Sequence, residues 1–311
     1  MTPRPGRSFD RRGFALIAIL WLIVAMAAIG LDDTAGARSS LATAQNRMEL
    51  ARSTWHAEGC GEVVRAASDA AVGDTLIPAT AAWDTLDRTI QSLGAGFPGC
   101  AFSTRAAGDR LNVNTADGDA LSAAFIASGV DEGRADSMAD ALLDWRDADT
   151  IPRLRGAEAS WYRANGRSLP TNRPFEDEAQ IHLVRGFEAA DSQIALLGVE
   201  SGKILLDRAP LPVIASLPGM TGETVARIAE LRWRREPVGD IDALAASLSA
   251  DARTKLTSAY QQLRQLIATE PDAWVVRIQS ASGTPPVGVT EELRLVRAGR
   301  RVGVTRARIW P

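Results

Sequence analysis

The sequence predicts an α+β fold in which a long amino-terminal helix packs on a small antiparallel sheet and a large all-helical insertion separates the strands. Three observations predict it. Phe14 to Leu31 is a run of eighteen residues without a charge. The carboxy-terminal end alternates as strands do, with Trp274, Val276 and Ile278, then Leu293 with Leu295 and Val302 with Val304. Between those strands and a strand-like stretch at Cys100–Val113 lies a block of about 150 residues with helical patterning, which an α+β core must accommodate as an insertion.

Composition narrows the function. Of 311 residues, 46% are hydrophobic and 23% charged, the balance of a folded protein. The net charge of −3 argues against a generic nucleic-acid binder. Two His and two Cys exclude a four-cysteine zinc site and a disulfide-rich mini-scaffold. No G-x-S-x-G elbow is present, and neither His56 nor His182 has a partner at a telling spacing, so an enzyme is not expected.

Taking the elements in order, residues 1–13 carry Arg4, Arg7, Arg11 and Arg12 against Asp10, a net +3 that leaves −6 for the rest. At 1.5 Å per residue the apolar run 14–31 spans roughly 27 Å, close to one hydrocarbon core. Positive charge stays cytoplasmic, which places the bulk of the chain on the far side of the membrane. A cleaved signal peptide is the rival reading, with Ala25, Ala27 and Ala28 as the small residues. Beyond the run, Leu41, Met48 and Trp55 recur every seven residues with Ala44 and Ala51 between them. This reads as a core-facing stripe packed on the sheet, in a helix fading near Cys60-Gly61 or running on to Ala67. Residues 69–99, broken by Pro78, Gly94, Gly96, Pro98 and Gly99, read as irregular. Helices are expected over 117–144, 175–197, 221–235 and 241–266. The domains expected are a 1–13 leader, a 14–31 transmembrane helix, an α+β core from 32–114 and 269–311, and a helical insertion at 115–268 with halves at about 115–208 and 209–268.

Three strings could carry chemistry. Leu111-Asn112-Val113-Asn114-Thr115-Ala116 precedes helical sequence and offers capping residues, with Asp117 and Asp119 in the first turn. Leu217-Pro218-Gly219-Met220-Thr221-Gly222-Glu223 looks like a second hairpin, but Glu223 stands where a bound phosphate would sit. The third runs from Asp144-Trp145-Arg146-Asp147-Ala148-Asp149 through Gly156-Ala157-Glu158 and Tyr162 to Asn172-Arg173-Pro174-Phe175. Eight acids and four arginines lie between Asp131 and Glu158. Asp147 and Asp149 at i and i+2, with Glu158, can point oxygens at one hard cation, whereas the plain alternative is an acidic loop paired with Arg153 and Arg155.

Arg11-Arg12-Gly13-Phe14-Ala15-Leu16 resembles the leader junction of type IV pilins and type II secretion pseudopilins. In those families a prepilin peptidase cuts after the Gly and methylates the new amino terminus, here Phe14. Most members carry Glu at the fifth mature position, where this chain has Ala18. That departure, the 111–116 string and the 144–175 series resemble the K-type minor pseudopilin of type II secretion. The resemblance implies helix-hairpin-helix (SAM-like) elements in the insertion and calcium at the acid series, with Asp147, Asp149 and Glu158 as candidate ligands and Asp144 as a further candidate. It implies a single-pass inner-membrane protein with a cytoplasmic amino terminus and a periplasmic head. Partners would be I-type and J-type minor pseudopilins and other pseudopilins, with the prepilin peptidase as processing enzyme. Its function would be to cap the pseudopilus tip, initiate assembly and support protein export across the outer membrane. Outside the cytoplasm Cys60 and Cys100 can form a disulfide; two reduced, buried thiols are the alternative. The runner-up is a membrane-anchored helix-hairpin-helix DNA receptor of the competence type, which calls for a basic exterior that the −6 contradicts.

Overall fold

The computed structural model describes residues 11–72, 79–298 and 301–310; the expectations for residues 1–10 lie outside them. Helix α1 runs from Arg11 to Val72 and α2 from Ala79 to Gly96. Strands β1 (Cys100–Ala106) and β2 (Leu111–Asn112) follow. The helical block comprises α3 (Gly118–Ala127), α4 (Glu132–Arg146), α5 (Ala159–Ala164), a 3-10 turn at Glu178–Leu183, and α6 (Asp191–Ile194). It continues with β3 (Leu197–Gly198), β4 (Ile204–Leu205), α7 (Leu211–Ala215), α8 (Gly222–Trp233), α9 (Ile241–Ala246), α10 (Ala250–Ser258) and α11 (Tyr260–Leu266). The chain ends with β5 (Ile267–Ala268), β6 (Trp274–Ser282), β7 (Val287–Ala298) and β8 (Arg301–Trp310).

The main sheet is antiparallel in the order β1-β6-β7-β8, with Cys100 opposite Ser280, Trp274 opposite Leu295 and Leu293 opposite Ala307. The alternating apolar residues of β6, Trp274, Val276 and Ile278, are buried on one face with Leu293 and Leu295, as a period of two requires. Helices α1 and α2 cover that face through Cys60, Val64, Trp83, Leu86 and Ile90, and Trp83 stacks on Trp274 with ring centroids 5.4 Å apart.

The side of α1 that meets the sheet is not the expected one. Leu41, Met48 and Trp55 are 60%, 54% and 74% exposed. Ser53, Ala57, Cys60, Gly61, Val64 and Ser68 are buried instead. The reason is distance. The Ser53 hydroxyl lies 2.7 Å from the Val287 carbonyl and 3.1 Å from the Ser282 hydroxyl, an approach that only small residues permit. The helix also runs past Ala67 to Val72, and the expected irregular stretch holds α2, whose Trp83, Leu86 and Ile90 have helical spacing. The expected helix at 175–197 is largely loop, held by the 3-10 turn and the short α6.

The helical block has a core of its own. Leu121, Phe125, Met138, Leu142, Trp145, Tyr162, Phe187 and Ile214 are among its fully buried residues. Leu111 and Val113 belong to this core, because β2 pairs in parallel with β3 rather than joining the main sheet. Caps fix the helix starts: Asp117, Asp131, Asp240 and Ser249 each accept from an amide in the first turn of their helix.

Among the residues whose side chains are described, no helix is long and apolar enough to cross a membrane. Of the run 14–31, side chains are described for residues 16–28, which leaves the window short of the expected span. Leu16, Ile19, Leu20, Trp21, Ile23 and Met26 are all exposed.

Candidate metal centre

The acid series folds around the carboxy-terminal end of α4. Asp144 lies in the last turn and is fully buried. Both its carboxylate oxygens accept from the Arg153 amide at 3.2 Å, and the Arg153 guanidinium lies 3.4 Å away. Burial, reinforced by Asp147 and Glu158, pushes the Asp144 carboxyl up to about 6 against the opposing amide bond. Gly156 packs against this carboxylate so tightly that a Cβ would collide with it. The first Gly of the G-A-E string is therefore required by the Asp of the D-W string.

Asp147, Asp149 and Glu158 each offer an oxygen within 4.8 Å of the others. Asp147 is the C-cap of α4 and Glu158 the N-cap of α5, so the centre joins two helix ends. Glu158 is buried; one oxygen accepts from the Ala159 amide at 3.2 Å and the other, Oε1, has no hydrogen-bond partner. Asp147 Oδ1 is likewise buried and without one. Burial raises the Glu158 carboxyl above its ordinary value, and Asp147 and Asp149 raise it further. Two orphaned, buried carboxylate oxygens facing like charge are costly unless a cation joins them. An all-oxygen donor set fits a hard divalent cation such as calcium, with carbonyls and water completing the shell. Asp144 is not part of the three-acid group; its oxygens are spent on Arg153. The expected loop ion pair is present in part, since Arg153 also reaches Asp147 at 3.4 Å, while Arg155 pairs with Asp136.

The other strings hold this centre in place. Asn114 acts in both directions on Phe175: its Nδ2 donates to the Phe175 carbonyl at 2.9 Å and its Oδ1 accepts from the Phe175 amide at 2.8 Å. Phe175 stacks on Trp145, and Tyr162 meets Trp145 edge-on at 5.2 Å. The Tyr162 hydroxyl accepts from the Arg185 amide, and Arg185 donates to the Gly156 carbonyl at 3.0 Å. Arg146 donates to the Val113 and Ala116 carbonyls and so ties α4 to the 111–116 string. The sequence reading did not foresee Arg185, and it placed Asn172 in the third string without a role; Asn172 takes a φ of 48° and donates to the Asp149 carbonyl.

Elsewhere, Cys60 and Cys100 are joined by a disulfide that ties α1 to β1. Gly13 and Phe14 lie in the first turns of α1, with their side chains outside those described. At the second hairpin, Glu223 accepts from the Ser249 amide at 2.7 Å and from its hydroxyl at 2.6 Å. An internal carboxylate thus occupies an anion position at the start of α10.

Residues 102–195 match the family model for type II secretion system protein K. The matched segment contains all of the strings around the acid centre. A search of the curated proteins gives no match. Among solved structures, a chain of the GspK-GspI-GspJ complex from the enterotoxigenic Escherichia coli type 2 secretion system is similar in fold, with a TM-score of 0.57 at 15% identity. The similarity covers 86% of this chain and 99% of that one.

Proposed function

We propose that this chain is the K-type minor pseudopilin of a type II secretion system. In this reading it caps the tip of the pseudopilus, initiates its assembly with I-type and J-type minor pseudopilins, and supports protein export across the outer membrane. The carrying observation is that the segment matched to the protein K family is the one that builds the acid centre, within a fold shared along most of the chain with the GspK complex. The mechanism is assembly rather than catalysis. The helix α1 is the shaft. Its apolar start, exposed along the described side chains of residues 16–28, is stabilised by lipid in the inner membrane and later by neighbouring helices. The head is too broad to repeat along a tight helical fibre, which restricts the subunit to the end of it.

Asp147, Asp149 and Glu158 are the residues that would hold calcium. An ion held there would neutralise three clustered carboxylates and join the end of α4 to the start of α5. The two helical halves, about 115–208 and 209–268, serve as a protein-binding head. The DNA-receptor reading is disfavoured by the negative charge of Glu223 in the first turn of α8, beside the loop where such a hairpin would bind phosphate.

The test is intact mass and amino-terminal sequencing of the membrane-purified chain, with and without prepilin peptidase. A product starting at N-methylated Phe14 is expected. A chain starting near Leu31, or one still starting at Met1 in the presence of the peptidase, would overturn the reading. Absence of DNA retardation by the chain at low salt removes the alternative.

A further inference from the structure

We propose that the chain with its two cysteines reduced holds one zinc ion on His56, Cys60 and Cys100, so that a single place in the fold takes either a metal or a disulfide. His56 and Cys60 are four residues apart on α1 and share one face of the helix on successive turns. Cys100 opens β1 and stands opposite Ser280 of β6. Where α1 lies on that end of the sheet the three side chains meet: His56 Nδ1, Cys60 Sγ and Cys100 Sγ lie within 4.8 Å of one another. His56 Nδ1 is 3.6 Å from Cys100 Sγ and 3.0 Å from the Ser280 hydroxyl, so this nitrogen is turned inward although the residue is exposed. Both cysteines and Ser280 are buried. The backbone leaves room for the imidazole. Gly99 takes a φ of 97°, and a Cβ there would lie 2.9 Å from His56 Cε1.

Two thiolates and an imidazole form a donor set that suits zinc and not a hard cation such as calcium. The acid centre is the opposite case, with oxygens alone. Three protein ligands leave one position of a tetrahedron open, and a groove of about 710 Å3 lined by Gly99, Cys100 and Ser280 admits water to fill it. Binding releases two protons, one from each thiol, and the two thiolates cancel the charge of the ion in a buried place. The metal and the disulfide exclude each other. To form the disulfide, a cysteine thiolate attacks an oxidant R–S–S–R. One sulfur–sulfur bond breaks in the oxidant, one forms between Cys60 and Cys100, and both thiol protons leave on two R–SH. Thiolates held by zinc are not free to make that attack. A newly made chain carries thiols, so zinc acts before oxidation. It fastens α1 to β1 until the covalent tie replaces it.

The experiment uses the full-length chain in detergent, reduced with a phosphine without oxygen and titrated with Co2+ as a spectroscopic probe, then with Zn2+. The expected result is a thiolate-to-cobalt charge-transfer band that saturates at one metal per chain, is bleached by Zn2+ and is absent from the oxidised chain. His56→Gln should weaken zinc binding by about 100-fold or more, whereas His182→Gln should leave it unchanged. One equivalent of zinc should slow disulfide formation by glutathione disulfide about tenfold, and a chelator should restore the rate. No charge-transfer band in the reduced chain, equal zinc affinity in the oxidised chain, a metal shared between two chains, or unchanged affinity in a folded His56→Gln would each overturn the site. If His56→Gln does not fold, the band of the wild-type chain and its loss on oxidation decide.

Discussion

Single atoms explain two glycines that sequence inspection leaves mute. Gly156 exists because the Asp144 carboxylate occupies the space a methyl group would need. Asp144 is short, fully buried and bonded to the Arg153 amide, so it has nowhere to go. Gly156→Ala should therefore cost about 2 kcal/mol or more and weaken calcium-dependent stabilisation, both read from melting curves with and without the metal. At Gly61 the obstructing carboxylate belongs to Glu291, whose burial raises its proton affinity. A carboxyl raised in the fold contributes stability when protonated. That contribution is fully present below the ordinary value of 4.5 and is lost as the pH climbs through the raised one. Glu291→Gln should remove this slope. In the isolated chain it should leave stability unchanged in acid and raise it by on the order of 1 kcal/mol at neutral pH. Denaturant titrations of both proteins across pH 4 to 8 would check this.

Among the elements, the disulfide ties α1 covalently to β1, an edge strand of the sheet. It closes a loop of 40 residues, and the chain-entropy relation gives about 4 kcal/mol for a loop of that length. Reduction, or Cys60→Ser with Cys100→Ser, should lower the stability of the α+β core by about 2–4 kcal/mol in chemical denaturation. Much at this level was legible in the sequence. Alternation exposed β6, and the 111–116 string marked the start of α3, although Asp117 rather than Asn114 or Thr115 caps it. The stripe on α1 was visible but assigned to the wrong side. Heptad spacing reports that a face is apolar, not what covers it, and beside Cys60 and Val64 the face of α1 turned to the sheet carries Ser53, Ala57 and Gly61, which give little hydropathy signal. Helix α2 was hidden by the glycines and prolines at its ends. The centre was legible as an acid series because side-chain chemistry is written locally. The lock of Asn114 on Phe175 was not, because it joins residues 61 apart.

For the molecule as a whole, two hydrophobic cores meet at β4, where Leu205 points to one and Ile204 and Leu206 to the other. This predicts two thermal transitions with separate sensitivities. Chelation should lower the one belonging to the helical block, whereas a reductant should lower the one belonging to α1 and the sheet. Calorimetry with each additive tests the assignment, and a single transition shifted equally by both would refute it.

The pairing of Ala106 with Trp274 joins points more than half the chain apart, with the whole helical block between them. Bringing such distant points together from an open chain carries a loop-closure cost that grows with the logarithm of their separation. A folded block shortens that loop, delivering its entry and exit side by side. Closure of the sheet is therefore expected to be faster once the helices have formed. Damage to the helical block is therefore expected to slow the closing of the sheet and to delay the support it gives α1.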